Sequence, residues 1–266
     1  MRRSRRTALL GAAWWLPLPL LPALLVQGWW VRRRIPRWPE ASGPRHGEIP
    51  GPDPVRLVLL GESTAAGVGV ADHRDGLAGQ LAAELARRTG RGVRWEVHGR
   101  TGRNARQVRA EQATVLAPDD LPTVVVLAIG VNDVLEARRP TPFAADLARL
   151  AATVRERLGE VPVLFAGMAP LGSFRSLPQP MRWVLGWWAR LLAQAATSVP
   201  DLRYVTALVE LPGDGLALAE DGFHPSAAGY RTWAHHLGAP LAELLPAYGS
   251  PEEDTDRPEP GLRSHG

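Results

Sequence analysis

The sequence predicts a three-layer α/β/α fold built on a parallel sheet of five strands. Five short apolar runs, "VRLVLLG" (55–61), "VRWEVHG" (93–99), "TVVVLAIG" (123–130), "VPVLFAG" (161–167) and "LRYVTAL" (202–208), have the length and residue types of buried strands. Amphipathic stretches such as "LAGQLAAELARR" and "FAADLARLAATVRERL" separate them. Strand and helix in alternation leave parallel strands joined by crossovers, with helices on both faces. The 266 residues hold one such domain with terminal extensions.

In chain order, residues 1–34 come first, as a membrane anchor or uncleaved signal. The 24 residues from Ala8 to Val31 are uncharged and mostly apolar. At about 1.5 Å per residue they make about 36 Å of helix, enough for a hydrocarbon core of roughly 30 Å. Trp14, Trp15, Trp29 and Trp30 lie toward its ends, where indoles favour the interface. Pro17, Pro19 and Pro22 argue against a straight helix and leave a kinked or surface-lying segment open. A cleaved secretory signal is the other alternative, although no small-residue cleavage site follows. The expected partner is thus a membrane through residues 8–31, with the folded domain outside the cytoplasm. Arg2, Arg3, Arg5 and Arg6 balance Arg32, Arg33, Arg34 and Arg37, so counting positive charge gives no orientation.

Residues 35–54 are rich in Pro and Gly and read as a linker. The folded domain is expected over 55–246, closing on a helix from about Ser226 to Leu245. Residues 247–266 have too little apolar content to fold and are expected to be disordered.

Composition removes several functions. There is no cysteine, hence no disulfide, thiolate metal site or catalytic thiol. All 31 basic residues are arginine, and eight lie within residues 1–37, which hold no acid. Residues 38–266 then carry 23 Arg against 27 Asp+Glu, a net −4, which argues against a nucleic-acid partner.

"GESTAAGVG" (61–69) follows the first strand, where an open parallel sheet meets its ligands. A phosphate loop of the Walker type needs a lysine, and there is none; Asp72 stands where the G-x-G-x-x-G spacing requires glycine. A serine nucleophile instead needs a base, a group orienting that base, and donors for an oxyanion. Other strand ends carry candidates for each. "HGRTGRNAR" offers the Gly102 backbone N–H, "AIGVNDV" the Asn132 amide, and "AEDGFHPSAAGY" sets Asp221 three residues before His224.

These four segments, "GES", "GRTG", "GVND" and "DGFH", resemble in order the four blocks of the SGNH (GDSL-like) hydrolase family, over residues 55 to about 246. The resemblance implies a flavodoxin-like sheet and a serine esterase or lipase. Ser63 would be the nucleophile, His224 the base and Asp221 its orienting partner, with an oxyanion hole from the Ser63 and Gly102 N–H groups and the Asn132 amide. An acyl-enzyme on Ser63, a small-molecule or lipid ester substrate and no cofactor follow. Acyl transfer to a sugar or lipid hydroxyl would use the same groups, and a non-catalytic, membrane-tethered binding domain is a further alternative. Two departures stand out: Glu62 replaces the Asp that usually precedes the serine, and Ala65 rules out the G-x-S-x-G elbow.

No spaced set such as H-E-x-x-H points to a metal. In "QPMRWVLGWWARLLAQAA", Trp183 and Trp187 fall about 120° from the main apolar stripe. They form a second packing surface, an aromatic wall over the substrate, or an interfacial anchor acting with the N-terminal segment. Arg103, with Arg106 and Arg109 at steps of three, reads as solvated surface or as a selector of anionic head groups.

Overall fold

All seven residues of β2 (Val55–Gly61) are buried, as its unbroken apolar sequence requires of a strand covered on both faces. The computed structural model describes residues 10–34, 38–206 and 218–246. Its strands are β1 (His46–Ile49), β2, β3 (Val93–Gly99), β4 (Thr123–Ala128), β5 (Val163–Phe165) and β6 (Leu202–Tyr204). They form one sheet in the order β1-β3-β2-β4-β5-β6, with β2 to β6 parallel.

The sixth strand corrects the expected count. β1 lies in the stretch read as linker and runs antiparallel to β3, pairing His46 with Glu96 and Ile49 with Val93. Its sequence, "HGEI", is too short and polar to show a strand period. The long-range ladder orders it, helped by Gly47, where a Cβ would collide with the Trp95 ring. A short edge strand bearing a charge is poorly suited to pairing with further chains. β5 and β6 are each three residues, shorter than the expected runs. Residues 207–217, which include the end of the expected fifth run, lie outside the described residues, as does the tail at 247–266.

The helices are α1 (Leu21–Arg34), α2 (Leu77–Thr89), α3 (Ala105–Glu111), α4 (Val131–Leu135), α5 (Pro140–Leu158), α6 (Met181–Ala196) and α7 (Ala227–Ala242). Side chains alternate along β2 with period two, so it feeds two cores. Val58 and Leu60 face α3, α5 and α6; Leu57 and Leu59 face α2 and α7. From β2 the chain adds β3 on one side and then β4 on the other. That reversal opens a crevice at the carboxyl end of β2, where Ser63 follows.

The N-terminal segment packs on the α6 side. A turn over 14–17 and a 3-10 turn at Leu18–Leu20 interrupt it before α1 begins. By length and hydropathy, Leu10–Val31 is sufficient to cross a membrane; 11% of that stretch is buried in the protein.

Candidate active site

The loop that carries Ser63 is a run of tight backbone turns. Ala66 N–H donates to the Glu62 carbonyl at 2.9 Å and Val68 N–H to the Ser63 carbonyl at 3.0 Å. The Gln112 side chain clamps the end of β2, donating to the Gly61 carbonyl at 2.9 Å and accepting from its N–H at 3.0 Å. From α7, the buried Tyr230 hydroxyl donates to the Val68 carbonyl at 2.7 Å. Gly69, at φ +100°, is where this loop meets the next: a Cβ would collide with the Pro225 carbonyl oxygen, beside His224.

Ser63 Oγ lies 3.0 Å from His224 Nε2, and His224 Nδ1 lies 2.6 Å from Asp221 Oδ2. The other Asp221 oxygen accepts the backbone N–H groups of Phe223 (2.9 Å) and His224 (3.0 Å). Burial pushes the Asp221 carboxyl up, but the His224 bond and these two donors outweigh it and hold it below the usual range. An ionised carboxylate only accepts, so Nδ1 bears the proton and Nε2 is free to receive one from Ser63. Ser226 then caps α7 by accepting from Gly229 N–H at 3.2 Å.

Glu62, noted from the sequence only as a departure, has a definite task. Its Oε1 accepts from Val131 N–H at 2.9 Å; its Oε2 accepts from Asn132 N–H at 3.0 Å and from the Asn132 side-chain amide. Burial raises its carboxyl to about 7 against those donors, and nearby Asp133 adds to the rise. Asp133, also buried, accepts from Ala105 N–H at 3.0 Å and is likewise raised to about 7, chiefly by desolvation. The Asn132 amide makes a second, long contact of 3.4 Å with the Arg103 carbonyl. Gly102, exposed and at φ +80°, precedes that carbonyl.

Beside Ser63 opens a pocket of about 90 Å³, lined mainly by apolar groups that include Ile129, Met168, Phe174, Leu218, Phe223 and Trp233. Sequence reasoning had not found Phe174 or Trp233. Both are single aromatics that only the tertiary fold brings to Ser63.

Of the three residues expected to contact substrate, the two tryptophans lie away from the pocket. Trp183 and Trp187 do not line the pocket; they stack on each other (6.4 Å, 14°), and Trp187 Nε1 donates to the Ala13 carbonyl at 2.9 Å. This face of α6 turns toward the N-terminal segment. Arg103 directs its guanidinium to Glu111 on α3 at 2.7 Å, so its carbonyl, not its charge, approaches Asn132.

An alcohol, an imidazole and a carboxylate in line at the crevice of a doubly wound sheet define a hydrolase-type site. The comparisons agree with that class: the profile of the GDSL-like Lipase/Acylhydrolase family matches residues 59–232. A GDSL-like esterase of Mycobacterium tuberculosis is 29% identical over 230 residues, covering 80% of this chain and 72% of the relative. The fold is similar to that of the crystal structure of TesA (TM-score 0.54, 23% identity, covering 71% of this chain and 99% of that one). A lipase/acylhydrolase from Enterococcus faecalis also shares it (TM-score 0.51, 17% identity, 72% and 97%). The chain belongs to the GDSL-like lipase/acylhydrolase family and is an ester-bond hydrolase.

Proposed function

We propose that the protein is a membrane-associated serine esterase that works through an acyl-enzyme on Ser63. The observation that carries this is the chain Ser63 Oγ, His224, Asp221, with links of 3.0 and 2.6 Å. Ser63 Oγ attacks the ester carbonyl carbon while its proton passes to His224 Nε2. Asp221 stabilises the imidazolium so formed. Charge collects on the former carbonyl oxygen, where the N–H groups of Ser63 and Gly102 and the Asn132 amide stabilise it. Of the two Asn132 amide contacts, the 3.4 Å one to Arg103 is the weaker, and it is the one an oxyanion replaces. Collapse expels the alcohol, which takes the proton from His224. Water then repeats the sequence on the acyl-enzyme and releases the acid.

The apolar pocket suits an acyl chain and the open crevice its alcohol part. Residues 8–31 associate with the membrane, and the catalytic domain faces away from the cytoplasm. Hydrolysis of p-nitrophenyl acetate by the wild type and by Ser63→Ala tests the proposal. Loss of turnover with retained fold supports it; an active Ser63→Ala protein contradicts it.

A further inference from the structure

We infer that α6 and the N-terminal segment together form one rigid docking face for an anionic lipid surface, so the catalytic domain lies on the bilayer rather than hanging from a tether. This rests on the reading of residues 8–31 as membrane-associated and adds to it the part played by the folded domain.

The coupling starts at a proline. Pro17 has no N–H to return to Ala13, and Leu18 N–H bonds the Trp15 carbonyl instead of Trp14. The domain takes up the Trp14 carbonyl thus released and the Ala13 carbonyl, which keeps only a long 3.4 Å bond from Leu16 N–H: Trp187 Nε1 donates to Ala13 at 2.9 Å and Trp188 Nε1 to Trp14 at 3.1 Å. Trp14 itself is 7% exposed and stacks on Trp188 at 5.1 Å and 7°. Farther along, Gln27 donates to the Gln179 carbonyl at 2.6 Å and accepts from Met181 N–H at 3.0 Å. The segment is therefore held to α6 at both of its parts.

What remains outward is apolar. Ten large hydrophobic side chains are exposed among the described residues; seven lie between Trp15 and Trp30 and an eighth is Trp183. The exposed apolar surface is thus concentrated in one place, as on a lipid-binding protein. The break at 14–17 leaves α1, of 14 residues, a reach of only about 21 Å. That unbroken helix is short of a span, although Leu10–Val31 taken as a whole is not, and it is long enough to lie in the interface. Arg33 sits over the Trp29 ring at 4.0 Å. Four arginines before the segment and four after it, with no acid before Glu40, match a negatively charged surface. A segment lying in one leaflet needs no charge difference between its ends.

The absence of cysteine permits unique labels. Trp183→Cys, Trp29→Cys and Arg87→Cys, each in the full chain and carrying an environment-sensitive fluorophore, are compared with and without phosphatidylcholine vesicles containing phosphatidylglycerol. Arg87 is exposed on α2, across the sheet from α6. Esterase turnover on a soluble ester verifies folding. The expected result is blue-shifted emission at 183 and 29 on vesicles and none at 87. Adding Trp187→Phe and Trp188→Phe removes both indole donors, and the shift at 183 is then expected to fall while that at 29 persists. A label at 183 that stays aqueous while 29 enters lipid would overturn the docking face and leave membrane association standing. An aqueous label at 29 would overturn both. A shift at 183 that needs no vesicles and grows with protein concentration would assign the face to a second copy and overturn the lipid surface.

Discussion

Glu62 holds Asn132 by both its backbone N–H and its side-chain amide, while its other oxygen takes the N–H of Val131. The residue before Ser63 thus fixes the proposed oxyanion donor on a neighbouring strand end. Glu62→Gln puts an NH₂ where one carboxylate oxygen accepts, and sets donor against donor. A drop in kcat of about 10-fold or more with little change in KM is expected, since the substitution keeps the side-chain size and leaves the apolar lining of the pocket as it is. Glu62→Asp retains both acceptors and should restore most of the rate. Equal kcat in Glu62→Gln and the wild type would remove the positioning role.

Asn132→Ala removes the amide itself. A loss on the order of 10²–10³ in kcat, about 3–4 kcal/mol, is expected from the loss of one oxyanion donor. Steady-state kinetics on a soluble ester measures it, and an unchanged kcat would assign Asn132 to structure alone.

Two buried carboxyls raised to about 7, Glu62 and Asp133, make stability depend on pH in a definite direction. Their ordinary values are 4.5 and 3.8, so between these and 7 the folded chain binds more protons than the unfolded one. Their contribution is fully present below the ordinary values and is lost as pH rises through 7. Asp133→Asn keeps an acceptor for Ala105 N–H and removes one titration. Between pH 5 and 7, denaturant unfolding of the variant should lose less stability than that of the wild type, by up to about 1.4 kcal/mol per pH unit. Parallel stability curves for the two proteins would contradict this.

Tyr230→Phe leaves the Val68 carbonyl buried without its donor. Destabilisation of about 1–3 kcal/mol is expected. Chemical denaturation checks it, and a stability equal to wild type would mean that the carbonyl is satisfied in another way.

Much of this was legible along the chain because it is written locally. The apolar runs of β2 and β4 declare buried strands, and Asp221 and His224 lie within one loop, so their pairing needs only three residues of sequence. Ser63 and His224 are 161 positions apart, and their approach follows from parallel strands that present all their carboxyl ends at one rim. What was hidden depends on partners. β1 is ordered by β3 and not by its own four residues. Trp183 and Trp187 have a clear off-stripe position, but period alone says nothing of what covers that face, and the answer lies some 170 residues earlier, at Ala13. Arg103 carries a charge visible in the sequence, yet Glu111 holds that charge and only its carbonyl reaches Asn132. Glu62 looked like a small departure, and its added methylene carries a carboxylate that spans Val131 and Asn132.

Reaction with a fluorophosphonate probe, followed by mass-spectrometric mapping of the adduct, tests most directly whether His224 activates the hydroxyl of Ser63. A single adduct on the peptide containing Ser63, strongly reduced in His224→Ala, is the expected result. Folded wild-type protein that takes no label, or takes it on another residue, would contradict it.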